Sequence, residues 1–262
     1  MKKTIRRIVP TMLVLVALAT ISCMGKGGIT LRLKPQQGKA CTVTTKANMM
    51  IMMEVQGQTM NMSQNMETLQ SFTAKETNDA QSVFETQIEA VKMSISQMGM
   101  KLEYDSEHPE KTSPMLAGQT QEIEKYLKKP ATVTYDAMGN VMDSLDLEMS
   151  QLSSAIVELP EKELTVGSTW TFNKKQEVSG TEMNTKMTYT VTAISKKSVD
   201  VDITGSVESS EVTGTYTGTA SINPQTGLVI QSTTKSNISM TVNEQGMSIP
   251  MTIVGNTTVE VK

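Results

Sequence analysis

The sequence predicts a mainly β protein of the α+β class. It would be built of long curved antiparallel strands in meander or half-barrel sheets, with one or two helices in the middle of the chain. Three observations lead there. Apolar and polar residues alternate with period two over long runs toward both ends of the chain, as in strands with one buried face. Glycine-bearing turns divide those runs at spacings that suit antiparallel hairpins. Helical spacing is confined to the region between residues 119 and 159. With one Trp, five Tyr and three Phe against 22 Met, the core must be filled by Met, Val and Ile.

The chain opens with an address. Lys2, Lys3, Arg6 and Arg7 precede a mostly apolar run from Ile8 to Ile21, and Thr20-Ile21-Ser22-Cys23 closes it. The apolar run is short for a membrane span, and small residues precede the cysteine, so cleavage is the better reading. The stretch resembles a bacterial lipoprotein signal with a lipobox, although Thr20 stands where leucine is commoner. That resemblance implies that residues 1–22 are removed and that Cys23 becomes an acylated N-terminus. Several acyl chains anchor stably, because each buried CH₂ contributes about 0.8 kcal/mol. An ordinary secretory signal with an incidental cysteine is the alternative. Residues 23–28, with Gly25-Lys26-Gly27-Gly28, read as a flexible tether. Met24 follows the cysteine where an inner-membrane retention signal would have aspartate, and the acidic run of surface-exported lipoproteins is missing. By resemblance to lipoprotein sorting rules, the expected place is the outer membrane, facing the periplasm, with the membrane as partner through the lipid anchor.

Loss of the leader removes four of the 24 basic residues and no acidic one, leaving 20 against 27 and a net charge of −7. Such a balance argues against a nucleic-acid partner. Cys41 is then the one remaining thiol, so no intrachain disulfide framework forms.

The first long run places Cys41, Val43, Thr45, Ala47, Met49, Ile51, Met53 and Val55 on odd positions. After Gly57 the apolar positions become even: Met60, Met62, Met66 and Phe72. Opposed residues of an antiparallel hairpin share a face and their numbers add to a constant. The parity change makes that constant odd, which requires a loop of two or four residues. A Gln56-Gly57 turn sets Met53 opposite Met60 and Ile51 opposite Met62. The same test joins Met93 and Ile95 to Leu102 and Tyr104 through Met98-Gly99. It joins Trp170, Phe172 and Val178 to Met183, Met187 and Tyr189 through Ser179-Gly180. A loop from Asn243 to Gly246 joins Ile238, Met240 and Val242 to Met247, Ile249 and Met251. Val199, Val201, Ile203 and Val207 mark a further strand. Residues 54–61 and 177–184 share the pattern E-V-x-G-x-x-M-N, either an old duplication or a convergent turn.

In the middle, Gln119 to Leu127 reads as a short helix ended by Lys128-Lys129-Pro130, after a loop from Ser106 to Gly118. Thr132 to Val141 reads as a small hairpin turning at Met138-Gly139-Asn140. Leu145, Met149, Leu152, Ile156 and Leu159 form one apolar stripe at helical spacing, capped by Asp143 or Ser144 and stopped by Pro160. A boundary near Pro160 separates residues 29–160, β-rich with helices, from residues 161–262, an antiparallel β domain. The second part is either a related repeat or a continuation of the same sheet.

Several motifs together resemble an uncharacterised family of Met-rich lipoproteins of Bacteroidota. They are Leu31-Arg32-Leu33-Lys34 followed by Gly38, the methionine hairpin, and Tyr104-Asp105-Ser106 after Met98-Gly99-Met100. Pro160-Glu161-Lys162-Glu163-Leu164-Thr165-Val166-Gly167-Ser168-Thr169-Trp170 completes the set. The resemblance implies an envelope address and a β fold, and brings no reaction or ligand.

Catalytic chemistry finds little support. His108 is the lone histidine, in a loop beside Pro109, so no His-centred triad or His-rich zinc site can be built. Ser232-Thr233-Thr234-Lys235 matches S-x-x-K, but it lies in a strand pattern and lacks an S-D-N or K-T-G partner. No nucleophile elbow, P-loop or dinucleotide glycine pattern is present. No enzymatic activity, catalytic residue or cofactor is therefore expected.

The methionines carry the functional expectation. Seven of them crowd into residues 48–66. Parity puts Met49, Met53, Met60, Met62 and Met66 on one face, and Met50 and Met52 on the other. Three uses compete: ordinary core packing, an adaptable lining for a lipid or other apolar small molecule, and soft thioether ligation of copper(I). Directly opposed Met53 and Met60 would lie about 4.5–5.5 Å apart at Cβ, but no histidine assists a metal. The expectation is an acylated envelope lipoprotein that binds an apolar ligand. A structural or interaction scaffold of the outer membrane is the alternative.

Overall fold

A computed structural model describes residues 28–55, 57–144, 155–178, 181–244 and 247–262. Its strands are β1 (Ala40–Val55), β2 (Gln58–Thr77), β3 (Gln81–Gln97), β4 (Met100–Asp105), β5 (Ala131–Asp136) and β6 (Val141–Ser144). They continue with β7 (Thr169–Val178), β8 (Thr181–Ile194), β9 (Val199–Glu208), β10 (Val212–Ile222), β11 (Val229–Glu244) and β12 (Met247–Val261). One helix, α1 (Ala117–Tyr126), follows two 3₁₀ turns at Pro109–Lys111 and Pro114–Leu116.

The strands form one open sheet in the order β6-β5-β3-β2-β1-β12-β11-β10-β9-β8-β7, with β4 on the remaining length of β3. Most neighbours are consecutive in sequence and antiparallel, as a meander requires. The exceptions are the pairing of β3 with β5, which passes over β4, and that of β1 with β12, which runs from Val43 opposite Val261 to Met53 opposite Met251. The latter pairing makes the two halves of the chain a single sheet. β3 divides its outer edge, giving Gln81–Thr86 to β5 and Lys92–Gln97 to β4.

Long strands twist, and bulges add bend. The register slips between Leu69 and Gln70 and again between Ala74 and Glu76 where β2 meets β3, with another slip between Val191 and Ala193 where β8 meets β9. The sheet therefore curls into a half-barrel whose inner face collects the apolar parity of the strands. At one end, the base, Phe72, Phe84, Val133 and Tyr135 from one flank join Val191, Val199, Val201 and Ile222 from the other in a single core cluster. The space between the flanks is filled by Leu31, Leu33, Leu159 and Leu164. Those plug segments are tied to the sheet by backbone hydrogen bonds. Leu33 N–H donates to Ala137 C=O (2.8 Å), and Leu159 N–H to Met138 C=O (2.7 Å). Phe72 and Phe84 pack with ring centroids 4.8 Å apart, and Phe84 meets Tyr135 edge-on at 5.8 Å. Trp170 stacks on Tyr189 at 5.0 Å while its indole N–H donates to Glu158 C=O (2.9 Å).

The other end, the tip, holds the turn glycine Gly57 (φ 76°) and the Met98-Gly99 turn (φ 51° and 80°). A second cluster of Ile88, Val91, Met93, Ile95, Tyr104 and Leu116 lies where Ile123 and Tyr126 of α1 cover β3 and β4.

The hairpin registers follow parity. Met53 faces Met60, Ile95 faces Leu102, and Trp170 faces Tyr189. Gln56, Ser179-Gly180 and Gln245-Gly246 themselves lie outside the described residues. One register differs. The β11–β12 hairpin turns over two residues, with Glu244 opposite Met247 and Val242 opposite Ile249, in place of the four-residue loop from Asn243 to Gly246. Both loops satisfy the same parity, and the shorter one shifts the register by two residues. The short middle helix is present as α1, and the small hairpin as β5–β6 around Gly139 (φ 84°). The Asp136 carboxylate holds that turn by accepting from the backbone N–H groups of Met138 and Asn140, at 2.8 Å each.

The C-terminal end of the second expected helix needs correction. Residues 145–154 lie outside the described residues, and residues 156–160 are not helical. Ala155 C=O accepts from Val229 N–H and Leu159 N–H donates to Met138 C=O, so the backbone is engaged with neighbouring segments instead of an i→i−4 ladder. Ile156 and Leu159 are drawn inward by the core cluster, and this alone reproduces part of the helical spacing.

Candidate functional site

The inner face of β1 presents Met49, Ile51 and Met53, and that of β2 presents Met60, Met62 and Met66. The β1–β12 register sets Met53 against Met251 and Ile51 against Ile253. β11 then adds Met240 and Ile238. Two transverse rows result: Met60–Met53–Met251–Met240 and Met62–Ile51–Ile253–Ile238. Directly opposed neighbours are about 4.5–5.5 Å apart at Cβ, so the rows make an apolar patch four strands wide. Ile51 is 9% exposed. The other seven side chains are half-buried, belonging neither to the core nor to the open surface.

The patch is bounded by polar and small residues. Toward the base, the inner face passes through Thr45, Thr68, Thr257, Ser232 and Thr234 before the core begins. Met49 stands beside Gly255, where the absent side chain leaves room for it, and opposite Gln64. Gln64 in turn donates its side-chain amide to the Met93 sulfur (3.6 Å). Met62 and Met66 lean toward the cluster under α1. All five methionines singled out from the sequence thus share the inner face, while Met50, 52% exposed, projects outward. Met240, Met251, Ile238 and Ile253 complete the patch and were missed as its members. Their alternation was readable, but their adjacency to β1 depends on a pairing across some two hundred residues.

The outer face has a different chemistry. Lys46 pairs with Glu67 (3.3 Å), and Lys92 with Asp105 (3.3 Å) and Glu107 (3.1 Å). The carboxylates of Glu107 and Asp105 hold the Lys92 ammonium above its ordinary pKa. The Glu107 backbone N–H, with Lys92, holds the Asp105 carboxyl below its own. Unbranched thioethers adapt to guests of varied shape, and an apolar patch rimmed by polar residues marks a binding surface.

The remaining sequence candidates disperse. His108 is exposed in its loop, with Nδ1 3.5 Å from the Glu110 carboxylate. Ser232 faces inward opposite Val259, whereas Lys235, three residues on in the same strand, is exposed on the other face, so the S-x-x-K pair cannot converge. Among the described residues no three His, Cys, Asp or Glu side chains gather as metal ligands. Among them, too, no helix is long and apolar enough to cross a membrane. Cys23 lies outside the described residues. The copies of E-V-x-G-x-x-M-N both fall at hairpin ends, β1–β2 and β7–β8.

Comparison with solved structures finds the sheet plan in a lipovitellin structure titled for lipid–protein interactions. Identity is 10% and the TM-score 0.50, covering 87% of this chain and 25% of that one. The chain thus spans about a quarter of that protein's length, and the likeness is one of fold. A structure of DynF from the dynemicin pathway of Micromonospora chersina aligns at 7% identity and a TM-score of 0.25, covering 90% of this chain and 86% of that one. No curated protein matches the chain. Residues 147–229 match the model of a family of unknown function (DUF6263).

Proposed function

We propose that this chain is an acylated lipoprotein of the outer membrane, facing the periplasm, that holds a lipid or other apolar small molecule against the inner face of its half-barrel. It binds and does not catalyse. The observation that carries the reading is the patch of eight Met and Ile side chains, seven of them half-buried, on the inner side of a curved sheet. Among the described residues the plug segments pack at the base, and the half-buried patch has apolar surface left for a guest to cover. The lipovitellin likeness supports the sheet plan, and that protein's title concerns lipid contacts. The anchoring half of the proposal rests on the basic, apolar and small-residue leader that ends in Cys23.

Two experiments address the two halves. Cys23→Ser should move the protein from the membrane pellet to the supernatant and abolish labelling by radioactive palmitate. Persistence of either property contradicts the anchor. The secreted Cys23→Ser form, purified from periplasm without detergent, should release one apolar molecule per chain on organic extraction. An empty chain with a stoichiometric protein partner would favour a scaffold. Copper at one equivalent would assign the methionine row to soft-metal binding.

A further inference from the structure

The base of the half-barrel holds a second apolar site with a different character. A pocket of about 290 Å³ opens between the start of β1, the end of β12 and the turn that precedes β11. Phe72 and Phe84 form its inner wall, each no more than 1% exposed and fixed by their ring contact. Leu228, Ile230 and Val261 add to the apolar lining beside the polar Asn223 and Thr226, and the half-buried Cys41 thiol lies in the same wall. Two cations, Lys39 and Lys262, line the pocket and are otherwise exposed. Lys262 shares its charge with Glu260 at 3.2 Å, and Lys39 makes no ion pair among the described residues. The thiol reports both features: burial pushes its pKa up, and the Lys39 charge pulls it back.

The position of this pocket has a meaning of its own. Ile29 is fixed at the same end by two backbone hydrogen bonds to Leu164, both 2.8 Å. Five residues separate it from Cys23, a reach of at most about 20 Å. With Cys23 acylated, the base and its pocket are held next to lipid headgroups.

Apolar walls with cations at the mouth complement an amphiphile. We propose that the base pocket binds a single acyl chain whose anionic head, a carboxylate or a phosphate, pairs with Lys39 and Lys262. Its volume falls at the lower edge of the roughly 300–1,000 Å³ usual for ligand pockets, which suits one chain and not a diacyl lipid. The site is distinct from the methionine patch. Cys41 and Met53 are twelve residues apart along β1, about 40 Å at the rise of an extended strand. Only its placement beside the membrane rests on the lipoprotein reading.

In the secreted Cys23→Ser form Cys41 is the sole thiol, so its alkylation by N-ethylmaleimide reads occupancy of the pocket. Dodecanoate below its micellar concentration should slow alkylation saturably. Uncharged dodecanol should need at least tenfold more to do the same. The double variant Lys39→Gln/Lys262→Gln should erase that difference while leaving dodecanol unchanged. Protection by dodecyl phosphate as well would assign general anion recognition, and protection by dodecanoate alone a carboxylate-specific mouth. Met53→Gln/Met251→Gln should leave protection intact, which separates this site from the inner-face reading. Calorimetric titration of dodecanoate into the same variants provides a readout independent of thiol reactivity. Equal potency of dodecanoate and dodecanol in the parent form, or no heat and no protection from either, overturns the proposal.

Discussion

Replacing Met53 and Met251 together by glutamine puts the inner-face site under quantitative test. Both residues are half-buried, they face each other across β1 and β12, and each is flanked by another methionine in the row. Glutamine keeps the length of the side chain and replaces the thioether with an amide, so the strands retain their register. Full burial of a Met side chain is worth about 1.5–3 kcal/mol. The fold already covers the greater part of each, which leaves about 0.5 kcal/mol per residue for a guest to gain. Losing two such contributions costs about 1 kcal/mol, or roughly fivefold in Kd. Titration with the neutral fluorescent probe N-phenyl-1-naphthylamine measures the change without engaging the lysines of the base. Thermal unfolding followed through Trp170, the single tryptophan, serves as the control for folding. An affinity change of less than threefold, at an unaltered unfolding midpoint, would refute the assignment of the rows as a binding surface.

Three further outcomes follow from local geometry. Met98 sits at φ 51° and is 79% exposed, so its side chain contributes strain and almost no burial. Met98→Asn creates the Asn-Gly pair that such turns favour, and should raise stability by about 0.5–1 kcal/mol in urea unfolding. A Cβ at Gly218 would overlap Thr233 C=O and lie 2.9 Å from Thr234 Cα, both backbone, so Gly218→Ala must displace β11. That variant should lose about 1–3 kcal/mol, read as a lower urea midpoint at constant m-value. Tyr189, buried against Trp170, has its phenol pushed up to about 12, chiefly by burial and secondarily by Glu158. Because the folded-state value exceeds the unfolded one of about 10, this contribution is complete below pH 10 and is lost as pH rises from there through 12. Unfolding midpoints should fall across that window in the parent, and less steeply in Tyr189→Phe.

Much of the local architecture was legible because parity and turn chemistry act over short distances. A glycine between runs of opposite parity sets a hairpin's face and, for a two-residue loop, its full register, as Met53 opposite Met60 illustrates. Parity alone cannot choose between loops of two and four residues, which is why the β11–β12 register is shifted by two residues from the expected one. Nor can it say which strands become neighbours when the chain closes on itself. β1 and β12 are each amphipathic, and nothing local identifies one as the other's partner. For that reason Met53 and Met60 were visible as a pair, whereas the row of four with Met251 and Met240 was not. Ile156 and Leu159 show a different failure. Apolar residues three apart were read as a helical stripe, yet an extended segment pinned to Met138 buries both against the core. The base pocket was invisible for a related reason, since its walls come from five separate segments.

The central claim is that the inner methionine rows, and not merely the base, receive an apolar guest. Photo-crosslinking tests this most directly: the secreted Cys23→Ser protein is irradiated with an uncharged acyl alcohol bearing a terminal diazirine, and the adducts are mapped by peptide mass spectrometry. The account predicts saturable adducts on peptides containing Met53, Met60, Met240 and Met251, displaced by excess unlabelled alcohol. Adducts confined to exposed methionines such as Met98 and Met115, undiminished by competitor, would contradict it.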